Sequence, residues 1–540
     1  MMRNLFRPPS EALSHDMTAA VKAVHAATPL SGAHAKELPF AVRDLSRLLT
    51  QDRSQLAASY WVNKRLLTAY CRYFLPWNLL RLSWLLPGLD LPLPPHATIL
   101  DLGSGPLTMP LALWITKPAW REMPLTIVCS DVSPAPMALG RDIFRRLAPD
   151  CPWTIELVRG PLEKVLREFT RPAALITAGN VLNEIKPSRE VPLQNRLAAL
   201  TRRIASRLAD DGRFLAVEPG TRLGGKLMAL TRLAAFGARL VPEAPCPHWG
   251  PCPMLAERAT GWCHFSHITG AAPKDLTDLT KRAGLEKDSL SLSCMLLRRV
   301  TGEELRRVEK HLPNVADDDF DDEWFGGPDE ADMDEDGSDG WAEAFAEAGP
   351  EMFSAEERNT VRILSDPIRL PGLPEPARYA CSARGLVLAH NALRVPSGAA
   401  VTVRWPESQP RDPKTGALVV TLPPVAAKTP APAGQAAPGK PGKPAWPRKQ
   451  PPPSETARPH ESPRRPSGPA KPGKPGKPSA PAGQGTKSTP PRPEKTAGQT
   501  AWDKPDRPPK TGASRPPARH PARKSPRPAA PGKKGENHER

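Results

Sequence analysis

Between residues 96 and 220 short apolar runs alternate with amphipathic stretches of helical period, the pattern of a doubly wound α/β sheet in which crossover helices join parallel strands. Strands are predicted at Thr98–Leu102, Leu125–Ser130, Thr154–Val158, Ala173–Ala178 and Gly212–Glu218, with helices at Ala135–Leu147 and Leu193–Ala209 between them. Upstream, Pro39–Leu91 repeats Leu, Ala and Arg at helical spacing and stops at Pro92-Leu93-Pro94-Pro95, so residues 1–95 read as a helical N-terminal region. Its most apolar stretch, Tyr70–Gly88, is interrupted by Arg72, Pro76 and Arg81. A membrane span needs roughly 20 clean apolar residues, so this stretch predicts a buried amphipathic helix pair. Downstream come a loop rich in Cys, Pro and His at 242–267, a helix over Lys274–Ala283 and a strand over Ser289–Arg299, which extend the α/β domain over 96–300. Strand texture returns in 359–422, at Ala399–Trp405 and Ala417–Leu422, as a small β module.

Composition changes this picture at two places. The chain holds 70 prolines in 540 residues, and from 424 onward PGK units such as Pro438-Gly439-Lys440 and Pro472-Gly473-Lys474 recur without apolar residues to pack. That composition predicts an extended, disordered basic tail over 424–540. The charge is confined in the same way. Thr421–Arg540 carries 25 Lys and Arg against 7 Asp and Glu, an excess equal to the +18 of the whole chain, so the remainder is balanced. A nucleic-acid footprint is therefore expected of the tail and not of the folded domains as a whole. Residues 316–350 form an acidic run with 15 Asp and Glu and no Lys or Arg between Asp317 and Glu347. It reads as a solvated disordered insert, or as an internal mimic of nucleic acid that shields a basic groove.

Eight cysteines are too few for a disulfide scaffold, and three of them crowd into Cys246–Cys263. This usage points to metal ligation in a reducing compartment. The start, MMRNLFRPPSEALSHDM, has no apolar segment of signal-peptide type. A cytoplasmic, monomeric protein that does not enter membranes is expected.

Ile99-Leu100-Asp101-Leu102-Gly103-Ser104-Gly105-Pro106 carries the most chemistry: a strand running into a D-x-G-x-G loop. Glycines after a parallel strand let the backbone approach a ligand where a Cβ would clash. A dinucleotide fingerprint would place a third glycine where Thr108 stands, which argues for S-adenosylmethionine over NAD. The second strand ends in Cys129-Ser130-Asp131, putting a carboxylate where a ribose diol would lie; a turn or cap is the other reading of Asp131. Asp101, Gly103, Gly105 and Asp131 are thus the candidate cofactor-binding residues. The fourth strand ends in Gly179-Asn180-Val181-Leu182-Asn183-Glu184, so Asn180, Asn183 and Glu184 are candidates for the catalytic edge, with helix capping the alternative for the last two. Transfer from an activated sulfonium needs chiefly alignment, and a base is optional. The Asn-Pro-Pro-aromatic motif of many amino-base methyltransferases is not found after the fourth strand.

In Pro245-Cys246-Pro247-His248-Trp249-Gly250-Pro251-Cys252-Pro253, followed by Trp262-Cys263-His264-Phe265, three thiols sit on a proline-punctuated backbone that regular structure cannot accommodate. A metal would organise it. Zinc could take three cysteines with His248, His264 or His267, whereas an iron–sulfur cluster needs a fourth thiolate. Cys294 lies in an apolar run and suits a core; Cys381, in the turn-like Arg378–Gly385 segment, is the better fourth ligand.

The combination I-L-D-L-G-S-G-P, G-N-V-L-N-E, P-C-P-H-x₃-C-P with W-C-H-F, and a distal Cys-x₃-Gly resembles one family over roughly residues 40–405: the methyltransferase-like assembly factors of the ribosomal small subunit, known from mitochondria and with bacterial relatives. The resemblance implies a class I methyltransferase fold, S-adenosylmethionine, a four-iron four-sulfur cluster on Cys246, Cys252, Cys263 and Cys381, and binding to small-subunit ribosomal RNA. The acidic run and the PGK tail depart from the family. The same motifs suit an RNA-methylating enzyme or a non-catalytic assembly factor; a redox-sensing regulator and a small-molecule methyltransferase are the readings outside ribosome biology.

Overall fold

The computed structural model describes residues 3–50, 60–185, 191–256, 261–270, 272–304, 354–371 and 373–423. The acidic run and the PGK tail lie outside the described residues.

The N-terminal helices are α1 (Glu11–Ala27), α2 (Gly32–Thr50), α3 (Lys64–Ala69) and α4 (Leu75–Leu85). Ser10 caps α1 through its hydroxyl, and Asn63 caps α3 by accepting from the Arg65 and Leu66 amides, which supplies partners for otherwise orphaned N–H groups. Between α3 and α4 the backbone makes a π turn at Tyr70–Phe74, so Lys64–Gly88 is one helical run and not the pair expected. Pro76 explains the wide turn: it lacks an N–H, and the π register re-routes the hydrogen bonds just before it. No helix among the described residues is long and apolar enough to cross a membrane.

The strands in chain order are β1 (Arg3–Asn4), β2 (Thr98–Leu102), β3 (Thr126–Asp131), β4 (Thr154–Arg159), β5 (Ala173–Gly179), β6 (Leu208–Pro219), β7 (Leu240–Ala244), β8 (Phe265–Ile268), β9 (Ser289–Arg299), β10 (Thr360–Ile363), β11 (Arg378–Ser382), β12 (Gly385–His390), β13 (Ala399–Thr402) and β14 (Leu418–Thr421). The larger sheet runs β4-β3-β2-β5-β6-β9-β7, with β8 also on β9. The five strands from β4 to β6 are mutually parallel, and β9 is antiparallel to β6. The order reverses at β2, which is where an open α/β sheet forms its ligand crevice. This is the expected mixed α/β class, with a parallel-rich central sheet.

Both faces of the sheet are covered, and the period-2 alternation shows it. Ile99, Ile127, Leu215 and Val217 face a core shared with the N-terminal helices, while Leu100, Val128, Ile176, Phe214 and Ala216 face the opposite core. The α-helices after β2 are α5 (Thr108–Thr116), α6 (Pro134–Leu147), α7 (Leu162–Glu168), α8 (Leu193–Arg207), α9 (Arg222–Gly237), α10 (Lys274–Arg282) and the short α11 (Ala355–Asn359). Sequence patterning does not mark α9, whose N-terminal turn contains Gly224 and Gly225. The reason for those glycines is contact: a Cβ on Gly224 would lie 2.0 Å from the Pro219 carbonyl oxygen, and one on Gly225 would lie 2.8 Å from Trp262.

The smaller sheet, β1-β13-β10-β11-β12-β14, is antiparallel except for the parallel β12–β14 pair. Its outer strand β1 is the extreme N-terminal segment, paired with β13 through Arg3–Ala400 and Asn4–Ala399. Phe6, which follows β1, packs on Phe265 and His267 of β8, so the chain start joins the cysteine-bearing segment to this sheet. The Ser266 amide donates to Ser397 Oγ at 3.2 Å, a second tie between the two.

Candidate functional site

At the carboxyl edge of β2 the chain turns through Gly103 (φ 63°) and Gly105 (φ 49°), with Leu107 also left-handed (φ 57°) before α5 begins. Gly103 is required on two counts, its φ and the 2.4 Å that would separate a Cβ from Val181 Cγ2. The Gly105 amide donates to Asp131 Oδ2 at 2.9 Å, and the Ser133 amide donates to Asp131 Oδ1 at 2.8 Å. Asp131 therefore ties the glycine loop to the end of β3. Burial raises its carboxyl above the usual range, opposed by these backbone donors. Trp61 lies over the loop from the N-terminal side, 3.8 Å from where a Gly105 Cβ would stand.

Asp101 is 1% exposed. Its Oδ1 accepts from Thr177 Oγ at 2.6 Å, whereas its Oδ2 is sealed from solvent without a hydrogen-bond partner. Burial pushes its pKa up to about 7 against the pull of Thr177 and Ser104. Asp101, Gly103, Ser104, Asn180, and Asn78 and Arg81 of α4 line one cavity of about 20 Å³. That is room for one water. Asn180 has a left-handed backbone (φ 59°), and its Oδ1 is buried without a partner.

The three candidates after β5 separate. Asn180 faces the cavity. Asn183 is turned away to Glu218, a fully buried carboxylate at the end of β6: Glu218 Oε2 accepts from Asn183 Nδ2 at 2.6 Å, and Oε1 accepts from the Leu182 amide at 2.8 Å. Glu184 is exposed. Arg81 and Asn78, which line the cavity, and Glu218, which holds the Leu182–Asn183 turn, are residues that sequence reading missed. The signal available for Glu218 was a lone carboxylate closing an apolar strand; for Arg81 it was an arginine interrupting an apolar helix.

The cysteine loop lies across the α9 side of the sheet. Its Ala244–Pro245 peptide is cis. Burial pushes the Cys252, Cys263 and Cys381 thiols up, Cys263 and Cys381 well up, and each feels neighbouring cysteines: Cys263 feels Cys246, Cys381 and Cys252, while Cys381 feels Cys252 and Cys246. The four predicted thiols share one electrostatic neighbourhood with Cys294, which Cys263 feels and which feels Cys246. Cys381 is on strand β11 opposite Arg362, not in the turn expected; the turn follows it, at Ala383-Arg384. Cys294 is buried within β9.

Two arginines serve this loop. Arg232 of α9, 2% exposed, donates to the His248 carbonyl at 3.2 Å and also to that of Gly250. Burial lowers its guanidinium, and Cys246, Cys252 and Cys381 more than offset that, leaving it raised. Arg362 donates to the Pro245 carbonyl and to that of Gly398, both at 2.8 Å. Of the histidines weighed as ligands, His248 Nε2 is 3.5 Å from Cys381 Sγ, His264 stacks on Trp262, and His267 stacks on Trp84. Among the described residues, no three His, Cys, Asp or Glu side chains form a group that could hold one metal ion.

Comparison with solved structures finds a TehB-like S-adenosylmethionine-dependent methyltransferase from Corynebacterium glutamicum ATCC 13032, at 14% identity over 38% of this chain and 83% of that one, TM-score 0.22. A geranyl diphosphate methyltransferase in complex with S-adenosylmethionine is similar at 15% identity over 46% and 92%, TM-score 0.24. A mitomycin 7-O-methyltransferase is similar at 14% over 54% and 69%, TM-score 0.26. No curated protein matches. In agreement with the resemblance carried by its motifs, residues 93–290 of this chain match the model of the family described as mitochondrial small ribosomal subunit Rsm22.

Proposed function

We propose that this chain binds S-adenosylmethionine at the β2 edge and acts on or binds small-subunit ribosomal RNA during ribosome assembly. The observation that carries the cofactor half is the Gly105–Asp131 hydrogen bond, which fixes a glycine loop and a carboxylate side by side at the point where the strand order reverses. The ribosomal half rests on the family match over 93–290. When bound, the cofactor supplies an activated methyl group. The protein's own residues would orient it: Gly103 and Gly105 admit close backbone approach, Asp131 keeps lone pairs for a diol, and Asn180 offers an unpaired carbonyl oxygen at the cavity.

For the cysteines, the donor set fits a four-iron four-sulfur cluster on Cys246, Cys252, Cys263 and Cys381. The buried Arg232 guanidinium stands beside these thiols, and four thiolates around a cluster would supply compensating charge. A zinc ion on three of these cysteines with a histidine is the alternative.

Binding without methyl transfer is a second reading, favoured by the engagement of Asn183 with Glu218 and the exposure of Glu184, which leave Asn180 as the sole predicted catalytic candidate at the cavity. Crosslinking in cells followed by mapping of the RNA tests the ribosomal half under either reading. Enrichment of small-subunit ribosomal RNA is expected; a protein with no RNA crosslinks would be a small-molecule enzyme instead.

A further inference from the structure

Two tryptophans near the cysteines carry an arginine over the indole. Trp262 directly precedes Cys263, and the guanidinium of Arg222, the first residue of α9, lies 4.9 Å from its ring centre. Arg384 stands in the turn that follows Cys381, with its guanidinium 4.8 Å from the ring centre of Trp405. Both indoles are fixed: Trp262 Nε1 donates to the Gly220 carbonyl at 2.9 Å, and Trp405 Nε1 donates to that of Arg358 at 2.8 Å. Two other arginines over tryptophans have a carboxylate partner. Arg121 over Trp114 pairs with Asp16, and Arg298 over Trp249 pairs with Glu304, each at 2.6 Å. Those cations are neutralised within the fold. Arg222 and Arg384 are exposed, and among the described residues no carboxylate forms an ion pair with either guanidinium. The indole covers one face of each guanidinium, so the other face and the N–H donors at its edge stay open. A planar cation held on a fixed ring is a surface on which a nucleobase stacks, with charge left for the phosphate.

We propose that Arg222 and Arg384 are stacking caps for unpaired nucleotides of RNA, each taking one base on its outward face. This inference rests on the RNA-binding reading and adds to it the place where single-stranded RNA is held. That place is beside the cysteine neighbourhood and apart from the cavity at β2, which neither arginine lines. Cys263 feels Cys381, so the two segments that carry the caps meet at the thiols. In a duplex the bases are stacked on one another, so the caps favour single strands. An acidic peptide would use the charge of the arginines alone, and lysine would serve it equally well.

The test measures binding of a fluorescently labelled oligoribonucleotide of mixed sequence, as a single strand and as a duplex, to the full chain purified anaerobically. It is run at about 0.3 M salt, where the counterion-release contribution of the basic tail is strongly reduced. Arg222→Ala and Arg384→Ala should each weaken the single strand about 3- to 10-fold, and the two losses should multiply in the double variant. The double variant Arg222→Lys with Arg384→Lys keeps both charges and lacks the planes, so it should lose most of the same affinity while binding the duplex as wild type does. Arg145→Ala, which removes an exposed arginine of α6, measures the effect of charge alone. Unchanged urea unfolding shows that each variant keeps the fold. Full single-strand affinity in the double lysine variant, or alanine losses no larger than that of Arg145→Ala, overturns the stacking assignment and leaves the RNA reading in place. A wild-type chain that binds neither form, at low salt as at high, overturns the RNA reading and this inference with it.

Discussion

Asp101→Asn isolates the electrostatic strain at the centre of the site. Asp101 has a folded pKa of about 7 against an ordinary value of 3.8, because burial penalises its charged form. The folded chain therefore holds this proton more tightly than the unfolded chain. The resulting stabilisation is complete below about pH 3.8 and is lost as pH climbs through about 7. At 1.36 kcal/mol per unit, the wild type should lose about 3 kcal/mol between pH 5 and pH 8 through this one group. Asparagine keeps an oxygen for the Thr177 hydroxyl and has no charge to desolvate. Its amide N–H stands where the protonated carboxyl of the wild type at pH 5 also lacks a partner. The variant should thus be about as stable as wild type at pH 5 and more stable at pH 8. Urea unfolding of ligand-free protein, followed anaerobically across that range, measures the difference between the two profiles, in which other titrating groups cancel. Profiles parallel to within about 0.5 kcal/mol would refute the reasoning and mean that Asp101 reaches solvent or a cation in the folded chain.

Further outcomes follow from other parts of the structure. Protein purified anaerobically should hold about four irons per chain; Cys381→Ser should lose them and Cys294→Ser should keep them, and stoichiometric zinc without iron would contradict the cluster. Glu218→Gln exchanges one acceptor oxygen for a donor beside the Leu182 and Asn183 groups, so local opening should become cheaper by about 1–3 kcal/mol, read as hydrogen exchange at the Leu182 amide about 10-fold faster or more. Deleting residues 424–540 should weaken RNA binding and flatten its dependence on salt, because a polycation binds mainly by releasing counterions from phosphates. An unchanged affinity and salt slope would make the tail a solubility appendage.

The parallel strands were legible because each is a short apolar run closed by a turn signal: predicted and observed limits coincide for Thr98–Leu102 and differ by a residue at either end of the second strand, and the antiparallel β9 has the predicted limits Ser289–Arg299. Less was legible where packing overrides local pattern. Helix α9 is buried on most sides and opens with two glycines chosen by contact with Pro219 and Trp262, so neither periodicity nor propensity announces it. Strand β1 is two residues long and exists through its pairing with β13, some four hundred positions away. In the site, the glycine loop and Asp131 could be named from spacing, since both act through their place at the end of a strand. Arg81 and Glu218 could not, because the first reaches the cavity from another layer and the second acts on a loop contributed by a different strand. Cys381 was singled out by its chemistry, and its setting is a strand rather than a turn.

The central claim is that the β2 edge is an S-adenosylmethionine site built on Gly103 and Asp131. Calorimetric titration of the anaerobically purified full chain with S-adenosylmethionine tests it most directly. Binding at one site per chain is predicted. It should be abolished by Gly103→Val, whose side chain would collide with Val181, and weakened about 10-fold or more by Asp131→Ala, which removes the acceptor holding the Gly105 amide. Affinity unchanged in both variants, or binding of NAD in place of S-adenosylmethionine, would contradict it.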